Sequence, residues 1–355
     1  MRQHVTVTSS NPRSRGLQRG RVVSSALPDM LTQYLDLFAL GGMKESEVRE
    51  HAEAALQTVR SWDRRYAEEI EGIASAAELD PWKITALNAR TELLMSQEQG
   101  VTFGGECSTL AFADEHRVLG IQTWDWQDEL SAYWHTQTVF GGRLSHRGVS
   151  EHGILAKIGM NSAGVGVFLN ILSSVDDHTS GVPIHVLIAS VLDNAASVFD
   201  AIDLLQSAPL ASSSNLTVID SHTACAVELS PNGVRVVPAD EHDVVVHTNH
   251  YLSAELQGGE RRGRFGDDSY ERQDLLCQRT RSWRRPTTID DLPSFLHSDP
   301  GEPKLSCRAD PGASFGQRVR TLATVRMDPR ASRIDVLDGS PAESEHDWVT
   351  LAETE

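Results

Sequence analysis

The sequence lacks most of the features that mark the commoner functional classes. Its four cysteines, Cys107, Cys225, Cys277 and Cys307, are far apart and form no Cys-x-x-Cys pair, which argues against a zinc knuckle or a dense disulfide framework. It contains no run of about 18 apolar residues, so no membrane-spanning helix is expected. The formal net charge of −18 disfavours binding to nucleic acid or to anionic membrane surfaces.

Targeting and metal-binding signals are also absent. The first twenty residues contain no apolar core of a secretory signal, so we expect a cytoplasmic protein. The 14 histidines form no His-Glu-x-x-His motif, and we expect neither a metal nor another cofactor. Basic residues cluster at 260–264 and 279–285. They predict a solvated loop and a helix end, or alternatively a binding site for an anionic group such as the phosphates of a thioester carrier.

The hydrophobic periodicity changes at Gly104-Gly105. Before it, residues 1–27 predict a short strand and a loop, and apolar residues then recur at helical spacing up to residue 97. After it, Ser108–Ala113 and Val118–Trp126 predict a strand hairpin. Further helices are expected over 184–192, 196–205, 270–283 and 289–297, and further strands over 134–140, 154–158, 165–171, 216–219, 224–228, 234–237, 244–247, 318–327 and 332–336.

The order of these elements predicts the fold class. Two strand-rich blocks with helices before, between and after them indicate an α+β protein in which two sheets pack face to face and helices cover the outside. The acidic tail from Ser340 is expected to fray.

The segment Gly104-Gly105-Glu106-Cys107 places a thiol where a glycine-bearing loop meets a strand. Glycines allow the preceding peptide bond an unusual geometry, so that the thiolate can attack the carbonyl before it and move the acyl group from nitrogen to sulfur. Hydrolysis of that thioester would leave Cys107 as a new N-terminus. A free α-amino group has a pKa near 7.7–8.0, so it can act as a base for the thiol on the same residue.

Several motifs accompany this cysteine in a fixed order: Cys107-Ser-Thr109, Trp124-Asp125, Lys157-Ile-Gly-Met-Asn161-Ser-Ala-Gly-Val165, Thr179-Ser-Gly-Val-Pro183, His247-Thr-Asn249-His250, Ser306-Cys-Arg-Ala309 and Arg318 just before Thr321-Leu322. In this order and spacing the sequence resembles the penicillin acyltransferase family over nearly its whole length. The resemblance implies a four-layer αββα fold of the N-terminal-nucleophile hydrolase type.

The resemblance also implies roles by position. Cys107 would be the nucleophile, Asp125 would orient its amine or thiol, and Asn249 would donate to the oxyanion of the tetrahedral intermediate. Arg318 would hold Asp125 ionised and position Cys107, and Thr109 would assist self-cleavage. Without the family, Asp125, Asn249 and Arg318 would be assigned to an ordinary turn, a loop and an exposed strand.

Glu106 departs from the pattern, because the fungal enzyme of this family has glycine directly before its cysteine. A side chain at this position can slow the acyl shift. The expected products of cleavage are a helical prosegment, 1–106, and a nucleophile-bearing large subunit, 107–355, which remain together as one integrated domain.

The predicted function is a self-cleaving amidohydrolase or acyltransferase that acts on a small amide through an acyl-thioester intermediate. Its partners would be a small amide or acyl donor and its own cleaved subunit. Three alternatives remain open: an acyl-CoA-dependent N-acyltransferase using the coenzyme A thioester as substrate, a papain-like hydrolase pairing Cys107 with His247 or His250, and an uncleaved binding protein without chemistry.

Overall fold

The computed structural model describes residues 2–97, 107–263, 268–343 and 347–352. The helices of these ranges are α1 (Pro12–Val23), α2 (Leu27–Leu40), α3 (Glu45–Trp62), α4 (Arg64–Ala76), α5 (Pro81–Asn88), α6 (Arg90–Met95), α7 (Ile184–Asn194), α8 (Val198–Ser207), α9 (Ala254–Gln257) and α10 (Ser269–Ser282). Three short 3₁₀ turns occur at Asp128–Leu130, Ile289–Asp291 and Pro293–Leu296.

The strands form two sheets. They are β1 (His4–Val7), β2 (Ser108–Ala113), β3 (Val118–Gln127), β4 (Trp134–Val139), β5 (His146–Glu151), β6 (Ile158–Asn161), β7 (Gly166–Ile171), β8 (Ser214–Ile219), β9 (Ala224–Ser230), β10 (Gly233–Pro238), β11 (Val244–His247), β12 (Val319–Asp328), β13 (Arg333–Asp338) and β14 (Val349–Thr350). Sheet A has the order β1-β4-β5-β6-β7-β8-β9-β10, and sheet B has the order β11-β2-β3-β12-β13-β14.

The layers follow from which elements touch. Strand β2 of sheet B contacts β7, β8 and β9 of sheet A, so the sheets lie face to face. Helices α7 and α8 cover the outer face of sheet A, while α10 and the 3₁₀ turns cover sheet B. A second apolar cluster, in which Phe112 packs edge to face on Phe295, fills the space between sheet B and this outer layer. The predicted αββα arrangement is confirmed.

The N-terminal region differs from the expected strand and loop. Strand β1 is present, but the residues after it form helix α1, which begins at Pro12 because Asn11 accepts a hydrogen bond from the Ser14 N–H as its cap. Strand β1 pairs in parallel with β4, so residues of the predicted prosegment form the edge of sheet A.

Three later expectations were also wrong in detail. The segment 289–297 forms two 3₁₀ turns instead of one helix, since Pro293 interrupts it. Strand β5 was missed, and residues 154–157 form no strand. The tail does not simply fray: Val349 pairs with Val336, which adds β14 to the edge of sheet B. No helix in the described ranges is both long and apolar enough to cross a bilayer.

Strand geometry positions the candidate site. Cys107 immediately precedes β2, and β2 pairs antiparallel with β3, which carries Asp125. Strand β12 pairs with the other side of β3, with Thr321 directly opposite Asp125. Strand β11 borders β2 on its far side and ends at His247, two residues before Asn249. Four of the predicted motifs therefore converge on neighbouring strands of sheet B.

Candidate active site

Cys107 is buried, with 6% of its surface exposed. Its thiol donates to the backbone carbonyl oxygen of Asp125 at 3.8 Å. Its own carbonyl oxygen accepts from the side chains of Asn170 at 2.9 Å and Arg272 at 3.3 Å. The backbone of the cysteine is therefore held from sheet A and from helix α10 at the same time.

The surroundings of the Cys107 thiol disfavour its ionisation. Burial raises the pKa of Cys107 to about 11, and the Asp125 carboxylate adds to this effect. Lys157 and Arg272 act in the opposite sense on that pKa. The thiol is thus protonated at neutral pH in the intact chain, and its chemistry needs a base to remove the proton.

Asp125 is fully buried on β3. Its carboxylate accepts from the Thr321 hydroxyl at 2.5 Å and from the Cys307 thiol at 3.8 Å. The Cys107 thiol contacts the backbone carbonyl of Asp125, whereas the described hydrogen bonds of the carboxylate are those with Thr321 and Cys307. The predicted role of this carboxylate in orienting the amine or thiol stays a prediction.

Asn249 lies just beyond β11, with 7% of its surface exposed. Its amide nitrogen donates to the carbonyl oxygen of Ile171 at 2.9 Å, and its amide oxygen accepts from Arg272 at 3.1 Å. Among the described contacts, the bond to Ile171 uses one of the two amide hydrogens, and the predicted donation to an oxyanion stays a prediction. The structure therefore brings Asn249 and Cys107 into one network through Arg272.

The contacts of Arg318 differ from the expectation. Its side chain is 34% exposed and lies 2.9 Å from Glu129, without hydrogen-bond geometry. Its head group lines an open cavity of about 450 Å³ together with Arg320 and Arg308. Arg318 lies three residues before Thr321, so strand alternation directs its side chain away from the face that carries the Asp125 carboxylate.

Of the two further residues predicted to serve self-cleavage, the structure describes Thr109 but not Glu106. The hydroxyl of Thr109 donates to Asn170 at 2.8 Å and accepts from Gln122 at 2.5 Å, between the two sheets. Its role in cleavage stays a prediction. Glu106, on the other side of the predicted scissile bond, lies outside the described residues.

Sequence reasoning missed two residues of this network, Asn170 and Arg272. Asn170 is fully buried on β7 and links the Cys107 carbonyl to that of His247, to which it donates at 3.2 Å. Arg272 is fully buried at the start of α10 and also donates to Ser108. A single amide inside the apolar run Val167–Ile171 was the available signal for Asn170, because a buried amide needs partners.

A buried ion cluster lies beside the cysteine. Glu151 accepts from Lys157 at 3.1 Å and from Arg90 at 2.7 Å, and the Lys157 ammonium is 4.4 Å from the centre of the Trp124 ring. Burial lowers the pKa of Lys157 to about 8. Burial alone would raise the pKa of Glu151, but Arg90 and Lys157 outweigh it and lower that pKa. With both cations charged, the cluster has one net positive charge, which favours a nearby thiolate.

The histidines of the papain-like alternative have other partners. His247 lies 3.0 Å from Glu228 and His250 lies 2.8 Å from Ser269, and neither has a described contact with Cys107. His250 also stacks on Tyr270. A thiol–imidazole pair would require a ring nitrogen on the thiol, so the described geometry does not support that reading.

Two arginines of the basic clusters, Arg261 and Arg279, bond to backbone carbonyls of other segments. Arg261 donates to the carbonyl oxygens of Met95 and Gln97, and Arg279 is buried and donates to that of Phe295. The expectation of a solvated helix end was therefore wrong for Arg279. Arg281 and Arg284 are exposed, so the alternative of a site for an anionic group stays a prediction.

Comparison with known proteins gives similarities in sequence and in fold. The acyl-coenzyme A:6-aminopenicillanic-acid-acyltransferase 40 kDa form of Emericella nidulans is 31% identical over 192 residues, which is 53% of this chain. The chain spans about half the length of that curated relative, 52%. Among solved structures, penicillin V acylase from Agrobacterium tumefaciens is similar at 14% identity and a TM-score of 0.41, over 65% of this chain and 83% of that chain.

A variant of conjugated bile acid hydrolase from Clostridium perfringens is similar at 11% identity and a TM-score of 0.48, over 69% of this chain and 92% of that chain. A sequence profile of the acyl-coenzyme A:6-aminopenicillanic acid acyl-transferase family matches residues 113–343. The match begins after Cys107 and includes Asp125, Asn249 and Arg318. Because it covers more than half of the sequence, this chain belongs to the acyl-coenzyme A:6-aminopenicillanic acid acyl-transferase family.

Proposed function

We propose that the chain is an autoproteolytic thiol amidohydrolase of this family, made as an inactive precursor and activated by cleavage before Cys107. The observation that carries the proposal is the buried Cys107 residue, whose carbonyl is held by Asn170 and Arg272. Any buried carbonyl needs a donor, but here both donors are side chains from different layers and one is a buried cation, an arrangement that holds the residue in one geometry, as a nucleophile requires.

The proposed cleavage is an acyl shift followed by hydrolysis. The Cys107 sulfur attacks the carbonyl carbon of Glu106, the peptide C–N bond breaks, and the Cys107 nitrogen takes up a proton to become a free amine. Water then hydrolyses the thioester, which releases the α-carboxylate of Glu106 and the thiol of Cys107. The new amine has an ordinary pKa near 7.7–8.0 and can accept the thiol proton in each later turnover.

In the proposed turnover the thiolate attacks the carbonyl of a small amide. The second hydrogen of the Asn249 amide would stabilise the oxyanion, a type of donor whose loss costs about 10²–10³ in rate. The amine product leaves with a proton, and water hydrolyses the acyl thioester. We also propose a reducing compartment such as the cytoplasm, since all four cysteines are free thiols.

The acyl-CoA-dependent N-acyltransferase is a second candidate, favoured by the name of the Emericella nidulans relative. In that reaction an acyl-CoA acylates Cys107 and an amine, in place of water, accepts the acyl group. A single experiment distinguishes the two functions. A panel of acyl amines and acyl-CoA donors would show amine release without coenzyme A for the hydrolase, and only coenzyme A-dependent transfer for the alternative.

Intact mass under denaturing conditions tests the proposal. Wild-type protein should give fragments of 106 and 249 residues, the larger beginning at Cys107, while Cys107→Ala stays whole at 355 residues. Cys225→Ala is the matched control, because Cys225 is equally buried at 6% exposure and lies outside the network. An uncut wild-type chain without amidase activity would favour the binding protein instead.

A further inference from the structure

Both oxygens of the Asp125 carboxylate have a side-chain donor. The Thr321 hydroxyl donates to Oδ1 at 2.5 Å, and the Cys307 thiol donates to Oδ2 at 3.8 Å. All three residues are buried, with exposures of 0% for Asp125, 1% for Thr321 and 6% for Cys307. A buried carboxylate that is held at both oxygens has little freedom to rotate about its terminal bond.

The two donors also hold each other. The Cys307 N–H donates to the Thr321 hydroxyl at 2.8 Å, and the Thr321 N–H donates to the Cys307 carbonyl at 3.0 Å. Because the hydroxyl oxygen already accepts from Cys307, its single hydrogen is directed at Asp125. The pairing of β12 with β3 shifts register between Thr321 and Ala323, a bulge of the kind that re-aims side chains beside active sites.

We propose that Thr321 and Cys307 are positioning residues that orient the Asp125 carboxylate for its work on Cys107. The inference rests on the proposed function, because it needs a reaction in which Asp125 takes part. Both side chains donate to the Asp125 carboxylate, so both act through Asp125. Cys307 is thus a second thiol of the site, with a role distinct from that of the nucleophile.

The experiment compares isosteric and conservative variants. Thr321→Val removes the hydroxyl donor at nearly constant volume, and Thr321→Ser keeps it. Cys307→Ala removes the thiol donor, and Cys307→Ser replaces it. The readouts are the first-order rate of self-cleavage by intact mass and, with the best amide of the substrate panel, kcat and KM. Thr321→Val should lower the cleavage rate and kcat by about tenfold or more at unchanged KM.

Rescue by the conservative variants distinguishes a positioning role from a loss of stability. Thr321→Ser should stay within about threefold of the wild type, and Cys307→Ala should lose more activity than Cys307→Ser. Thr324→Val is the matched control, since Thr324 is another buried threonine of β12 whose hydroxyl donates to the Gly339 carbonyl at 2.8 Å. The Thr324→Val variant should cleave itself and turn over the amide no more than slightly slower than the wild type. If Thr321→Val fails to fold, the comparison of Cys307→Ala with Cys307→Ser tests the inference.

Two results would overturn the inference while leaving the proposed function intact. One is normal cleavage and kcat in both Thr321→Val and Cys307→Ala. The other is an equal loss in Thr324→Val, which would reduce the effect to a general cost of losing a buried hydroxyl. A wild-type chain that neither cleaves nor hydrolyses any amide would instead contradict the proposed function, and the positioning role with it.

Discussion

At the scale of single residues, the Cys107 carbonyl distinguishes this cysteine from the other three. Two side chains from different layers donate to it, and one of them, Arg272, is a fully buried cation that also contacts Asn249. Buried charge is unfavourable unless hydrogen bonds compensate it, so an arginine at this place indicates a specific task. Arg318, which the family pattern favours, is one-third exposed and pairs with Glu129.

The two arginines can be ranked by substitution. Arg272→Gln removes donors to Cys107, Ser108 and Asn249, and we expect self-cleavage to slow by about 10- to 100-fold. Arg318→Gln removes a partly exposed ion pair and should cost much less. The cleavage rate is measured by intact mass, with circular dichroism to check folding. The reverse order would restore the role that the family pattern gives to Arg318.

The raised pKa of Cys107 predicts how self-cleavage depends on pH. With a pKa of about 11 the thiolate is scarce at neutral pH, and its fraction rises about tenfold for each pH unit below that value. The cleavage rate should therefore rise continuously from about pH 6 to about pH 9. Freshly translated chain is exchanged into a pH series and the intact fraction followed by mass. A rate that falls with pH would show that the thiolate does not attack.

At the scale of elements, helices α1 and α4 pack with their backbones almost in contact. A Cβ on Gly16 would lie 2.0 Å from the carbonyl oxygen of Glu69, and one on Gly72 would lie 2.3 Å from that of Arg13. Around this contact Glu69 is buried and accepts from both Arg15 and Arg19. Glycines here therefore serve helix packing, even though glycine is a poor helix former.

Gly16→Ala should destabilise the protein by about 1–3 kcal/mol, because the methyl group overlaps the neighbouring backbone. Helix propensity acts the other way and favours alanine by about 1 kcal/mol, so a loss reports the overlap. Denaturant unfolding measures the change in the free energy of unfolding. Gly258→Ala is the control, since nothing lies within 4 Å of a Cβ there. Equal stability of the two variants would contradict the close packing.

At the scale of the whole molecule, residues on the two sides of the predicted cleavage point share one core. Strand β1 forms the edge of sheet A through β4, and Arg90 is buried against Glu151. Arg15 pairs with Asp193 at 3.0 Å, and Glu92 accepts from the Ile184 N–H at 2.9 Å. These bonds do not depend on the peptide bond before Cys107.

The fragments 1–106 and 107–355 should therefore stay together after cleavage. Cleaved wild-type protein and intact Cys107→Ala should elute at the same volume in gel filtration, and the fragments should separate only in denaturant. Apolar residues of both fragments form one buried cluster, and the cost of exposing that surface to water supports a tight complex. Loss of the smaller fragment on a native column would contradict the shared core.

Much of the fold could be predicted from local patterns. The strand alternation after Gly104-Gly105 placed the β2–β3 hairpin correctly, and the order of strand and helix blocks indicated two packed sheets between helices. Such features depend on neighbours in the chain, so spacing reveals them.

The sequence by itself determined that a cysteine stands at a loop–strand junction, with the ordered motifs of one family around it. Only the tertiary structure decided which distant side chains meet there. Arg272, Asn170 and Cys307 join the network because a helix, the facing sheet and a late loop all pack around β2 and β3. Arg318 is directed away because a strand places alternate residues on opposite faces. Contacts across layers follow from packing and register, which spacing along the chain does not reveal.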